Sequence, residues 1–236
     1  MRNTNKGASA SGQTRFVISK EEINRLPLRS FSGHIHLINR EQSLSAAAGL
    51  LPRLERAVIG LDTESRPSFQ KGEYHPICLI QLATREEAFL FQVRPGEIPL
   101  QLKRIIEHPG ILKIVQGAAQ ELQDLFRDHG LRGAAFFDLP GAAKECGCSP
   151  RSLRGLTAIF LGFRVSKSAQ RSNWEQSPLT TKQLQYAATD AWAPLMIYEK
   201  MRKSGLIAGR VKTLAYTEPT PGKPSRRRSR GKRTGS

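Results

Sequence analysis

The residues best placed to do chemistry come in three groups. The first is Asp62-Thr63-Glu64, at the end of the apolar run Ala57 to Leu61. If that run is a strand, positions 62 and 64 point to the same side, so two carboxylates stand together. Anions held that close repel unless a cation lies between them or one takes up a proton. The second is Glu121, with Asp124 one helical turn further on, in Gln116-Gly-Ala-Ala-Gln-Glu-Leu-Gln-Asp-Leu125. The third is Tyr186 and Asp190, four residues apart and so on one face of a helix. A phenol and a carboxylate on one face can orient water beside a metal. Each group also has a plain explanation: a polar strand end entering a loop, acids favoured by a helix dipole at its N-terminus, a core tyrosine beside a surface aspartate.

Positioning these groups needs a particular set of elements. The unalternating run Ala57 to Leu61 reads as a strand buried on both faces. Ile77 to Thr84 and Glu87 to Val93 follow as a meander, with Arg85-Glu86 as a tight connection. Leu112 to Val115 is another short buried strand, and small residues at Gly117, Ala118 and Ala119 let a helix from Ala118 to Gly130 start close to it. His34 to Ile38 alternates like a strand, and Glu41 to Leu54 carries apolar residues at helical spacing. Leu100 to Glu107 and Leu153 to Leu161 read as helices, Phe136 to Leu139 as the last strand, and no strand is expected after Gly141. The helix from Thr180 to Met201 is capped by Thr180 or Thr181 with Gln183 reaching back, and Pro194 is placed to kink it.

Composition narrows the setting. The 236 residues hold 37 Lys and Arg against 20 Asp and Glu, a formal net charge of +17, which points to a polyanionic partner. No apolar run approaches the ~20 residues of a membrane span. The polar N-terminus has no signal-peptide core, and an odd count of three cysteines, two of them in Cys146-x-Cys148, suits free thiols in a reducing compartment. A soluble cytoplasmic protein is expected. Residues 1–30 read as a flexible arm with one helical turn near Glu21 to Arg25, residues 31–215 as the folded domain, and residues 216–236, rich in arginine and, after Tyr216, without an apolar side chain to bury, as a disordered basic tail suited to nucleic acid.

Three blocks then carry a resemblance: Asp62-Thr-Glu64, Ile77-Cys-Leu-Ile-Gln-Leu82, and Ser172-Asn-Trp-Glu-Gln-Ser-Pro-Leu-Thr-Thr-Lys-Gln-Leu-Gln-Tyr-Ala-Ala-Thr-Asp190. In this order and spacing, from about His34 to about Met201, the chain resembles the ribonuclease D and Werner-type branch of the DEDD 3′–5′ exonucleases, in its tyrosine subclass. The resemblance implies an α/β fold, a single domain with a ribonuclease-H-like mixed sheet flanked by helices. It implies two divalent metal ions, Mg²⁺ or Mn²⁺, and hydrolysis of single-stranded RNA or DNA from the 3′ end to nucleoside monophosphates. Matched residue by residue, Asp62 touches both metals, Glu64 and Asp190 hold the one on the nucleophile side, and Tyr186 orients the attacking water. Thr63, Lys167 and Ser172 fall where the family contacts substrate. The chain departs from the pattern at Glu121, where the family carries aspartate. The extra methylene leaves two readings: an active enzyme with an altered second metal site, or a catalytically weakened exonuclease-like protein that binds nucleic acid.

Overall fold

The computed structural model describes residues 6–8, 14–39, 50, 54, 57–209 and 212–218. In chain order the elements are β1 (Lys6–Ala8), β2 (Thr14–Val17), α1 (Lys20–Arg25), β3 (His34–Ile38), β4 (Val58–Ser65), β5 (Ile77–Ala83), β6 (Glu87–Gln92), α2 (Leu100–Glu107), β7 (Leu112–Val115), α3 (Ala118–His129), β8 (Phe136–Asp138), α4 (Leu139–Glu145), β9 (Cys148–Ser149), α5 (Leu153–Leu161) and α6 (Thr181–Lys203).

Six strands form one mixed sheet in the order β3-β6-β5-β4-β7-β8. β4, β5 and β6 are an antiparallel meander, and β7 and β8 join β4 in parallel. β3 pairs in parallel with β6 at the far edge. Every residue of β5 is buried, as an apolar strand covered on both faces requires. On one face Ile59, Leu61, Ile80, Leu82, Phe89 and Phe91 pack with Leu102, Ile105 and Ile106 of α2 and Ala118, Leu122 and Leu125 of α3. The other face is covered by α6, whose Ala187, Ala188 and Ala191 are fully buried. Gly60 explains how close α6 comes: a methyl group there would collide with the Ala191 carbonyl. This is the ribonuclease-H-like mixed sheet flanked by helices that the resemblance implied.

Several boundaries fall where periodicity placed them. Gly130 ends α3 in the left-handed conformation at φ 67°, which glycine adopts without a Cβ penalty. Thr180 caps α6 in a reciprocal capping box with Gln183. Pro194 is buried inside α6, which runs on through it to Lys203.

Two expectations are corrected. A strand does occur after Gly141: β9 pairs in parallel with β2, Phe16 opposite Cys148. Its partner lies more than a hundred residues away, so no local pattern announces it. Between β8 and β9, Pro140 stands in the first turn of α4, where its missing N–H is not needed, and Asp138 accepts a hydrogen bond from the Gly141 N–H at 2.9 Å. Within the stretch read as a flexible arm, β2 and α1 are formed. The Phe16 ring packs 5.7 Å from that of Phe160, and Ser19 caps α1 in a second capping box. The expected helix Glu41 to Leu54 lies outside the described residues except for Leu50 and Leu54, both helical and buried in the core. The basic tail after Glu218 lies outside them altogether.

Candidate active site

The site forms where the C-terminal end of β4 meets α6. Gly60, Asp62 and Glu64 alternate onto one face of β4, and Gly60 sets that face directly against Ala191. Asp190 is the residue before Ala191, so the close approach carries its carboxylate to the strand end. Ligand oxygens of Asp62, Glu64 and Asp190 all lie within 4.8 Å of one another. One helical turn earlier, the Tyr186 hydroxyl lies close enough to interact with the Asp190 carboxylate.

The long third block acts mainly as scaffolding for these two residues. Trp174 is fully buried, its ring 5.9 Å from that of Tyr186. Gln183 donates from Nε2 to the Asn173 carbonyl at 3.0 Å and accepts from the Thr180 N–H at 3.0 Å. The loop before α6 and the first turn of α6 are therefore tied together beneath the phenol. Arg66 reaches Glu175 at 3.5 Å across the mouth, an exposed pair worth little to stability.

Glu121 occupies a different position from the other three acids. It lies in the first turn of α3, and its carboxylate is hydrogen-bonded to the Thr63 side chain, while its Oε1 is buried without a hydrogen-bond partner among the described residues. It stands outside the tight three-carboxylate group, yet its charge is felt by both Asp62 and Glu64. Asp124, one turn on, faces elsewhere: Arg127 Nη1 holds it at 2.6 Å and Gln120 Nε2 at 2.9 Å. Lys167 is exposed and Ser172 half-buried in turns before α6, and no described contact brings either to the carboxylates.

The electrostatics are those of negative charge gathered without a counter-charge. Burial first, then the charges of Asp190, Glu64 and Glu121, push the Asp62 carboxyl well above the usual range. Burial with the Asp190 and Glu121 charges lifts Glu64 to about 8. Burial lifts Asp190 to about 7 against the opposing Tyr186 hydrogen bond. Burial lifts Glu121 to about 7, opposed by Thr63 and aided by Asp124. Burial and then Asp190 push the Tyr186 phenol up as well, so the hydroxyl keeps its proton at any ordinary pH. The donor set is entirely hard oxygen, it converges from three elements, β4, α6 and α3, and one buried oxygen, Oε1 of Glu121, lacks a partner among the described residues. Such a set fits a hard divalent cation.

Two residues that shape the site gave little sign in the sequence. Gly60 is a small residue in an apolar run, meaningful only once α6 is laid across it. Gln81, fully buried opposite Asp62, stood within the block Ile77 to Leu82 that shares in the resemblance, but nothing in the sequence gave it a role.

Comparison with known proteins agrees with this geometry. Residues 35–205 match the family model described as 3′–5′ exonuclease, and the chain belongs to that family of hydrolases, in its tyrosine-bearing DEDD branch. It is 35% identical over 154 residues to the bifunctional 3′–5′ exonuclease/ATP-dependent helicase WRN of Mus musculus, a match covering 63% of this chain and 11% of that protein. It is 31% identical over 147 residues to the exosome complex exonuclease RRP6 of Saccharomyces cerevisiae, covering 62% of this chain and 20% of that one. The chain thus spans a fifth or less of these two relatives. Among solved structures, the Aedes aegypti Nibbler EXO domain superposes with a TM-score of 0.63 at 22% identity, covering 77% of this chain and 93% of that one. At that identity the likeness concerns the fold.

Proposed function

We propose that this chain is a two-metal-dependent 3′–5′ exonuclease that shortens single-stranded RNA or DNA from the 3′ end, releasing nucleoside monophosphates. The observation that carries the reading is the meeting of Asp62, Glu64 and Asp190 oxygens within 4.8 Å; Tyr186, one helical turn before Asp190, interacts with that carboxylate. Asp62, Glu64 and Asp190, with Glu121 from the far side, would hold the cations. When bound, these stabilise charge on the attacking and leaving oxygens of a phosphodiester.

The chain's own contribution is positioning. The Tyr186 phenol stays protonated, so it serves as a hydrogen-bonding group and not as a base. With its proton engaged by Asp190, its oxygen lone pairs are left to accept from the attacking water. The acidic pocket would repel a polyanion unless its charge is neutralised, and guidance of the strand falls to basic residues such as Lys167, with Ser172 and Thr63 as further contacts. The arginine-rich residues 216–236 would extend that grip, beyond an exonuclease domain of residues 31–215. No helix among the described residues is long and apolar enough to cross a membrane. The thiols of Cys78 and Cys148, which form no disulfide, support a cytoplasmic setting.

The separate position of Glu121 favours one second reading: a weakened enzyme that retains nucleic-acid binding. A single assay divides the two. On matched 5′-labelled RNA and DNA oligomers with Mg²⁺ or Mn²⁺, the exonuclease gives a ladder shortened one nucleotide at a time from the 3′ end, and EDTA stops it. Oligomer binding without any ladder in either metal would establish the weakened protein instead.

A further inference from the structure

Gln81 is fully buried in the centre of β5, and neither its Nε2 nor its Oε1 finds a hydrogen-bond partner among the described residues. Its neighbours two positions either way show which face it occupies. Leu79 packs with Tyr186 and Ala187, and Ala83 with Ala188 and Ala191. Gln81 therefore points to the α6 face. On that face the antiparallel register sets Gln81 directly opposite Asp62, with Gly60 opposite Ala83 on one side and Glu64 opposite Leu79 on the other. Side chains directly opposite in such a pair have their Cβ atoms about 4.5–5.5 Å apart, within reach of an amide on a two-carbon stem.

A buried amide with both polar atoms unsatisfied opposes folding, and an apolar side chain of the same length would fill the space without that cost. The surrounding side chains are apolar: Leu79, Ala83 and Leu90, with Ala187 and Ala188 above. The polar group that the register offers is the Asp62 carboxylate. An ionised carboxylate only accepts hydrogen bonds, so Nε2 is the atom that matches it.

We propose that Gln81 is a positioning residue of this site: its side-chain amide, unbonded among the described residues, turns to donate to the Asp62 carboxylate opposite it and orients that group when a cation binds. The proposal rests on the metal-dependent reading above. It acts through Asp62 and touches no reacting atom. Partners that orient a metal-ligating group in this way commonly change metal affinity by about 10–100-fold.

The test uses the full chain and Mn²⁺ alone as probe. Gln81→Met keeps length and removes the hydrogen bond. Mn²⁺ affinity is read by electron paramagnetic resonance of the free ion, together with the thermal midpoint in EDTA and kcat and KM on a 5′-labelled oligomer. The expected result is Mn²⁺ binding weakened about tenfold or more, a fall in kcat with KM little changed, and a metal-free midpoint equal to or above that of the wild type. A purely structural role predicts the reverse, a lower midpoint with unchanged Mn²⁺ affinity, and that result overturns the proposal. Should Gln81→Met fail to fold, Gln81→Asn keeps the amide but withdraws it by one methylene; it must show the same weakening, and wild-type affinity there overturns the proposal. If the wild type itself binds no Mn²⁺, both this proposal and the metal-dependent reading fall. If the wild type binds and the variants match it, only Gln81 is lost.

Discussion

Lys113 on β7 and Asp62 on β4 are both ionisable groups sunk into one sheet, and the fold treats them differently. Lys113 is fully buried, yet its Nζ donates to the Ile105 carbonyl at 3.2 Å and the His108 carbonyl at 2.8 Å, at the end of α2. Those carbonyls otherwise accept only long backbone bonds, from the His108 and Ile111 N–H groups at 3.4 Å each, and the negative end of the helix dipole favours a cation. Burial lowers the Lys113 amine to about 7, so the amine can meet its partners charged or neutral. Asp62 has no cation beside it; its charged neighbours are Asp190, Glu64 and Glu121, and all of them raise its pKa. A buried charge that closes on protein partners belongs to the architecture. A cluster of like charges left open asks for something from outside.

The largest expected effect breaks the contrast directly. Asp62→Ala should lower nuclease activity by at least ~10³-fold, about 4 kcal/mol of barrier, while the metal-free protein melts no lower than the wild type because a repelling, desolvated carboxyl has gone. Lys113→Met should do the opposite. It removes the short bonds from Nζ and leaves the two carbonyls only their long backbone bonds, at a cost of about 1–3 kcal/mol, with the activity of the folded protein near that of the wild type. Thermal melts in EDTA beside initial rates in Mn²⁺ check both. If Asp62→Ala melted far below the wild type and Lys113→Met lost all activity, the two sites would have been assigned the wrong way round.

A pH series sharpens the same contrast. Glu64, Glu121 and Asp190 sit at about 8, 7 and 7 in the folded protein, against about 4 in an unfolded chain. Between those values the folded state holds more protons, so this stabilisation is full below about pH 4 and is lost as pH rises through 7 to 8. The buried imidazole of His129, lowered by burial, contributes with the opposite sign below its ordinary value of about 6.5, but it is one group against four raised carboxyls. The metal-free protein should therefore melt at least ~5 °C lower at pH 7.5 than at pH 5.5, since about 1 kcal/mol moves a domain of this size by roughly 2–4 °C. Saturating Mn²⁺ should remove most of that fall. For Lys113 the folded value lies below the unfolded one, so its stabilisation is full above about pH 10.5 and is lost as pH falls toward 7. The stability gap between wild type and Lys113→Met should accordingly widen from pH 7 to pH 9. A midpoint flat from pH 5.5 to 7.5 in EDTA would mean that the carboxyls are not raised.

How much of this could be read from the chain follows from the range of the interactions. Apolar runs and caps act locally, so β3, α2, β7 and α5 came out with the bounds expected from residue pattern, and the Thr180–Gln183 capping box was visible as a spacing. The acids Asp62, Glu64 and Asp190 were legible because strand and helix periods fix their faces. What stayed hidden depends on pairing across the sheet or between remote segments. β9 exists only because Phe16 and Val17 lie beside it. Gly60 matters only through Ala191. Gln81 has meaning only opposite Asp62. The choice between Glu121 and Asp124 was legible only in part: Arg127 stands three residues from Asp124 and draws it away, whereas the approach of Thr63 to Glu121 joins remote segments.

The smallest expected effect concerns that choice. Glu121 reaches toward the site from the α3 side, tethered through Thr63, with its Oε1 buried and unpartnered. Shortening it to aspartate withdraws the carboxylate by about one C–C bond, ~1.5 Å, and gives up the Thr63 tether. Mg²⁺ demands near-ideal octahedral geometry and tolerates a displaced ligand poorly, whereas an intervening water absorbs part of such a shift. The wild type should therefore prefer Mn²⁺ over Mg²⁺, and Glu121→Asp should move the ratio of Mg²⁺-supported to Mn²⁺-supported rates upward by a few-fold. Glu121→Ala should remove most activity with either ion. Asp124→Ala is the control, with a change under twofold expected, since its carboxylate is spent on Arg127 and Gln120 at the surface. Steady-state rates in each metal across the three variants decide the matter. A silent Glu121→Ala beside a crippled Asp124→Ala would place the second acidic position one helical turn further along α3.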